Sequence, residues 1–184
     1  MEAGDRMEIR DMAEVRDGIS ARDMIGQAYR ARERAYTPYS HFQVGAALRS
    51  KAGNLYLGCN IENASYGVTN CAERTAFFKA VSEGEVEFDC IAIVGGPKAA
   101  GGEAAAGGPA EGGAGAAGGP AERHPGVMCA PCGVCRQVMM EFCDPDTFRI
   151  YLEDGEGGIK SYLLRELLPL GFGPDNLKKG EPES

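Results

Sequence analysis

Phe42-Gln43-Val44-Gly45-Ala46-Ala47-Leu48, a turn at Ser50-Lys51-Ala52-Gly53-Asn54, and Leu55-Tyr56-Leu57-Gly58-Cys59 together decide the fold. Phe42, Val44, Ala46 and Leu48 alternate with other residues, and so do Leu55, Leu57 and Cys59. Period-two patterning on both sides of a Gly/Asn turn is the signature of a β-hairpin. N-terminal to it, Met24, Ala28, Ala31 and Ala35 recur at helical spacing, with Ser20 and Asp23 as an N-cap and acidic first turn. That helix should stop before Thr37-Pro38, because the residue before proline avoids the α region.

C-terminal to the hairpin the pattern predicts a helix over 70–82, with Ala76, Phe77, Ala80 and Val81 on its inner face. Residues 90–95 form a short continuous apolar run, as expected of a strand buried on both faces. Helical spacing resumes at Pro131 with Cys135, Val138, Met139 and Phe142, and Pro131 suits a first helical turn. Phe148, Ile150 and Leu152 predict a strand, and 161–168 a last short helix before Pro169. The order α-β-β-α-β-α-β-α implies a mixed sheet covered by helices.

A chain of 184 residues fits one domain with a real core. Residues 1–18 are charged and aperiodic and read as a flexible extension, with a frayed helix as the alternative; residues 178–184 read as a tail. Residues 95–127 are rich in Gly, Ala and Pro, with Gly-Gly-Pro-Ala-Glu at Gly107 and again at Gly118. Such a segment has little to bury against the entropy of ordering and reads as a flexible insertion. The net charge of -8 and the lack of a basic face argue against a nucleic-acid partner. No run approaches the roughly 20 apolar residues of a membrane span. The N-terminus lacks the apolar region of a signal peptide, so the expected compartment is the cytoplasm.

In that compartment thiols stay reduced, and seven cysteines read as metal or reactive chemistry rather than as disulfides. Asn70-Cys71-Ala72-Glu73-Arg74 and Pro131-Cys132-Gly133-Val134-Cys135-Arg136 each sit where a helix should begin. Helix N-termini favour thiolate over thiol. Cys71, Cys132 and Cys135 would give zinc three ligands and leave a fourth position for water. Three thiolates leave such a zinc with a net negative charge, so neutralising groups are needed, and Arg74 and Arg136 are the candidates. Glu73 can lie beside the open position and carry protons. The spacings alone leave other readings open. Asn70 and Glu73 have capping-box spacing. The Cys-x-x-Cys pair could be a redox dithiol or half of a structural zinc site completed by Cys129, Cys59, Cys90 or His124. By itself Phe42 reads as core, and Asn60-Ile61-Glu62-Asn63 as turn residues.

Cys71-Ala72-Glu73 followed by Pro131-Cys132-Gly133-Val134-Cys135-Arg136-Gln137 resembles the signature of the zinc-dependent nucleoside deaminases, in the version of the small homotetrameric cytidine deaminases. Tyr39 to Leu48, Gly58 to Gly67, and the ending Glu166-Leu167-Leu168-Pro169 with Phe172-Gly173-Pro174 are similar to the same family. The resemblance runs from about Ser20 to Leu177 apart from the insertion, within a domain set at 19–177. It implies a three-layer α/β/α sandwich with a mixed sheet of about five strands and one Zn2+ per chain. The implied reaction is hydrolytic deamination of cytidine and deoxycytidine in pyrimidine salvage. Cys71, Cys132 and Cys135 would bind zinc, Glu73 would shuttle protons, and Arg74 would neutralise thiolates. Asn60 and Glu62 match positions that hold the ribose 3′-hydroxyl, Phe42 one that packs on the pyrimidine, and the backbone at Cys71 and Ala72 one that meets its polar edge. Ala64, Tyr66 and Phe172 match positions that reach or close active sites shared within a homotetramer. Two rivals follow: a deaminase of a modified cytosine nucleoside of the blasticidin S kind, and a non-catalytic structural zinc module. The sequence departs from the family at Ala130, where a hydroxyl residue is usual, at the additional thiol of Cys129, and in the insertion.

Overall fold

The computed structural model describes residues 14–15, 19–98 and 127–177. A two-residue ladder pairs β1 (Glu14–Val15) antiparallel with β2 (Ile19–Ser20). The expected loose extension is thus corrected at Glu14 and Val15, while the rest of 1–18 lies outside the described residues. Ser20 caps α1 (Ala21–Arg32) through a reciprocal pair: its hydroxyl accepts from the Asp23 amide, and the Asp23 carboxylate accepts from the Ser20 amide. The helix stops at Arg32, earlier than the proline rule requires. The amides of Arg34 and Ala35 close single turns onto Ala31 and Arg32, leaving Ala35 half-buried outside the helix.

The hairpin forms as read, from β3 (Phe42–Ser50) and β4 (Leu55–Cys59). A short 3-10 turn precedes α2 (Ala72–Ser82), and β5 (Phe88–Pro97), α3 (Gly133–Phe142) and β6 (Arg149–Glu153) follow. Because β5 continues to Pro97, residues 95–97 belong to the sheet rather than to an irregular insertion; residues 99–126 lie outside the described residues. Pro131 precedes the helix instead of entering its first turn, since Cys132 is the N-cap. The predicted helix over 161–168 is also corrected. The chain continues as β7 (Ile159–Leu163) and makes only a one-turn α4 (Leu164–Leu167). Gly155 and Gly157, both at positive φ, turn the chain back on β6, and Ile159 and Tyr162 then pack on opposite faces of the sheet.

The five strands run in the order β4-β3-β5-β6-β7, with β5 and β6 parallel and the other neighbours antiparallel. The parallel pair needs a crossover, and α3 lies in it. On one face Met24, Ile25, Ala28 and Tyr29 of α1 pack on Ala47, Ala92, Val94 and Tyr151. On the other, Ala72, Ala76 and Phe77 of α2 and Met139 of α3 pack on Ala46, Leu48, Ile91, Ile93 and Ile150. This is the expected α/β/α sandwich. Two glycines set how closely the layers approach. A Cβ on Gly45 would lie 2.0 Å from the Ala28 carbonyl, and one on Gly58 2.2 Å from that of Ala72. Gly58 therefore lets the first turn of α2 rest directly on β4. Among the described residues no helix is long and apolar enough to cross a membrane.

Candidate metal centre

Cysteine occupies the N-cap of both helices on this face, Cys71 for α2 and Cys132 for α3, and neither cap is closed by a side chain. Both sites forgo the Ser, Thr, Asp or Asn that satisfies the first amides of a helix, a loss of roughly 1 kcal/mol each. In exchange, free N–H groups and thiols converge at two helix starts. Cys135 joins them from within the first turn of α3. The Sγ atoms of Cys71 and Cys132 are 3.9 Å apart and those of Cys132 and Cys135 3.5 Å, and all three sulfurs lie within 4.8 Å of one another. A tetrahedral zinc with sulfurs at about 2.3 Å requires sulfur–sulfur separations of about 3.8 Å. The donor set therefore fits the ion. Among the described residues the metal-binding group comprises these three, without Cys129, Cys59 or Cys90; His124 lies outside the described residues.

Electrostatics support the same arrangement. The Cys135 thiol, hydrogen-bonded to Cys71, and then the Arg74 guanidinium hold the Cys71 thiol down at about 5, against the opposing effect of burial. Cys135 is pushed up as the partner that keeps its proton. Arg74 Nη2 sits 3.7 Å from Cys71 Sγ and is anchored by the Thr69 carbonyl at 2.9 Å. Arg136 behaves differently, because its Nη1 donates to the Leu167 carbonyl. The expectation that Arg136 serves the sulfurs is thereby corrected: the C-terminal segment supplies the partner it uses.

Glu73 is only 4 % exposed. Burial pushes its carboxyl up to about 7, and the neighbouring Cys71 thiolate adds to the rise. The capping-box reading fails here, since Cys71 is the N-cap and Asn70 Nδ2 donates to Thr75 Oγ1 at 3.0 Å. Glu73 is thus a buried carboxyl beside the thiols rather than a helix cap.

The other predicted residues form an outer ring. Asn60 ties itself to β3, its Nδ2 donating to the Phe42 carbonyl at 2.9 Å and its Oδ1 accepting from the Val44 amide at 2.8 Å. Glu62 Oε2 accepts from the Tyr39 and Ser40 amides, and the Ser40 hydroxyl comes first among the bonds that hold this carboxyl below its ordinary value. Phe42 is half-buried, and Ala72 is buried as the first residue of α2. Ala64 and Tyr66 lie on the surface, Tyr66 at 73 % exposure with its ring against Tyr39. Phe172 is 57 % exposed, and its carbonyl accepts from Gln137 Nε2. None of these last three joins the thiol–carboxyl cluster within this chain.

Sequence reading missed Gly95 and Thr75. A Cβ on Gly95 would lie 2.7 Å from Cys129 Sγ and 3.1 Å from the Phe42 ring, so this glycine seats the additional thiol beside the aromatic. Its place in register with Val44 on the sheet face that carries α2 was the available signal. Thr75 stands one helical turn beyond Cys71, and its partners become visible only with the fold.

An α/β/α sandwich that brings three thiols, a buried carboxyl and an arginine to two helix N-termini defines a class, that of zinc enzymes with an open coordination position. The comparisons narrow the class. The family described as "Cytidine and deoxycytidylate deaminase zinc-binding region" matches residues 20–150. The chain is similar to cytidine deaminases of Halalkalibacterium halodurans, at 44 % identity over 84 % of this chain and 95 % of that one, and of Sporosarcina psychrophila, at 42 % over 84 % and 92 %. It is also similar to the crystal structure of cytidine deaminase from Burkholderia pseudomallei, with TM-score 0.64 and 39 % identity over 84 % of this chain and 100 % of that one. Similarity to a blasticidin-S deaminase of Bacillus cereus is lower, 31 % over 70 % of this chain and 76 % of that one. The chain belongs to the cytidine and deoxycytidylate deaminase family. Its cofactor is zinc.

Proposed function

We propose that the chain catalyses hydrolytic deamination of cytidine and deoxycytidine to uridine and deoxyuridine, with release of ammonia. The observation that carries this reading is the buried Glu73 beside a three-sulfur group that has no fourth protein donor among the described residues. A structural zinc module would need that fourth donor, and a redox dithiol would not need the third sulfur or the carboxyl. The higher identity and coverage of the cytidine deaminases favour cytidine over blasticidin S.

Zinc, when held by Cys71, Cys132 and Cys135, supplies a Lewis-acid position for the attacking water. Glu73 takes a proton from that water and delivers it to N3 of the pyrimidine, making C4 the electrophile. The water oxygen bonds to C4, and Glu73 then takes the proton left on that oxygen and passes it to the 4-amino group, so that the C4–N bond breaks, ammonia leaves and the C4 carbonyl of uridine remains. Arg74 disperses the negative charge at Cys71 Sγ. Asn60 and Glu62 use only part of their hydrogen-bonding capacity on β3 and the Tyr39–Ser40 amides. A second amide proton and the carboxylate lone pairs not taken by the Ser40 hydroxyl and the two amides remain for the ribose 3′-hydroxyl. Held this way, the sugar places C4 for attack. Phe42 packs on the pyrimidine, and the free N–H groups at Cys71 and Ala72 meet its polar edge.

Exposed Ala64, Tyr66 and Phe172 support a homotetramer in which these residues serve neighbouring sites. The enzyme serves pyrimidine salvage, and its compartment is the cytoplasm. The domain spans 19–177, with 1–18 and 178–184 lying outside it and the Gly/Ala/Pro-rich stretch as an insertion between β5 and α3. Glu73→Ala tests the assignment: it retains about one zinc per chain and forms no uridine. Retained turnover contradicts it.

A further inference from the structure

β4 is the edge of the sheet, so the main-chain groups facing away from β3 need partners. The Asn60 amide donates to the Val44 carbonyl, and strand alternation then directs the groups of Leu57, Cys59 and Ile61 to the open side. The carbonyls of Leu57 and Cys59 and both main-chain groups of Ile61 find partners from α2 or its approach. Lys79 Nζ donates to the Leu57 carbonyl, and Thr75 Oγ1 lies 3.0 Å from the Cys59 carbonyl. Ile61 and Asn70 exchange two backbone bonds of 2.9 and 3.0 Å. Thr75 and Lys79 are four residues apart on one helix face, which matches carbonyls two residues apart on a strand.

The Thr75 hydroxyl is the junction of this seam. Asn70 Nδ2 donates to it at 3.0 Å, so its own proton is left for the carbonyls of Cys59 at 3.0 Å and Cys71 at 3.2 Å. The contact to Cys71 is an ordinary back-bond of a helical threonine. The contact to Cys59 is long-range and joins two functional arms: Cys71 contributes a sulfur to the metal group, and Cys59 precedes Asn60.

We propose that Thr75, oriented by Asn70, is a positioning residue that locks the Cys71 metal arm to the Asn60 sugar arm, coupling zinc retention to nucleoside affinity. The inference rests on the zinc-deaminase reading of the site. Thr75→Val removes the hydroxyl at nearly constant shape, and Thr75→Ser keeps it. Zinc release to excess chromophoric chelator is timed well below each melting temperature, and KM and kcat for cytidine are measured on zinc-saturated protein. Thr75→Val should release zinc about 10-fold faster, in line with loss of an outer-sphere partner, and its KM should rise by more than its kcat falls. Thr75→Ser should restore both properties. If Thr75→Val does not fold, Asn70→Ala takes its place, with faster zinc release and higher KM expected.

Wild-type zinc release and KM in Thr75→Val, or in Asn70→Ala where it stands in, overturn the proposal. Equal impairment in Thr75→Ser and Thr75→Val also overturns it, because only the methyl would then matter. A zinc-loaded wild type that forms no uridine sinks the functional reading instead, and the zinc-release arm still decides the role of Thr75.

Discussion

The two helix starts that supply the sulfurs are held in opposite ways. At α2, Asn70 exchanges backbone bonds with Ile61, Thr75 reaches β4, and Arg74 bridges the Thr69 carbonyl and Cys71 Sγ. At α3, among the described residues, none of the backbone bonds outside helices and strands involves 127–131. Side chains hold it instead: Arg136 to the Leu167 carbonyl, Gln137 to the Phe172 carbonyl, Cys129 beside Gly95, and Met139 and Phe142 packed with the core. One start is tied to the sheet by hydrogen bonds. The other brings two of the three sulfurs and is placed by core packing of Met139 and Phe142 and by side-chain bonds to the C-terminal segment. Zinc held by all three sulfurs would join an arm fixed by hydrogen bonds to one seated by packing.

The largest effect expected from this difference comes from removing zinc. Activity falls to baseline, and amide hydrogen exchange accelerates over 130–136 while 70–76 keeps its protection. Equal loss at both starts breaks the comparison. Next come the glycines beneath each arm. Gly58→Ala puts a methyl against the backbone of α2 and costs about 3 kcal/mol, whereas Gly95→Ala meets side chains alone, those of Cys129 and Phe42, and costs about 1 kcal/mol; denaturant titration compares them. The arginines follow. Arg74→Met should speed zinc release about 10-fold. Arg136→Met should leave zinc release near wild type and cost about 1.5 kcal/mol of stability.

The smallest effect belongs to α1, whose cap is an ordinary serine. The Ser20 hydroxyl and then the Ser20 amide hold the Asp23 carboxyl below its usual value. A folded pKa below the unfolded one stabilises above the unfolded value and is lost as pH falls through the folded one. Asp23→Ala should thus cost about 0.5 kcal/mol near neutral pH, with the difference from wild type vanishing under acid; melting temperatures across pH check it.

Much of this was legible in the sequence, and the exceptions share a cause. The hairpin could be read because alternation on a half-buried sheet fixes which side chains face the core. Ser161-Tyr162-Leu163-Leu164 carries neither period clearly, so β7 read as helix although the Asp154 to Gly158 turn announced a hairpin. Arg74 and Arg136 both close their cysteine motifs, yet one serves a thiol and the other a distant carbonyl. Asn70 and Glu73 have the spacing of a cap, but burial of Glu73 beside the thiols decides its role. Spacing identifies candidates; partners distant in sequence assign them.

The most direct test of the central claim follows cytidine absorbance and released ammonia while zinc is withdrawn by a chelator and restored in steps. The account predicts uridine and ammonia in equal amounts, at a rate that rises in proportion to bound zinc and levels off at about one ion per chain. Turnover indifferent to zinc removal, or a zinc-loaded protein that forms no uridine, would contradict it.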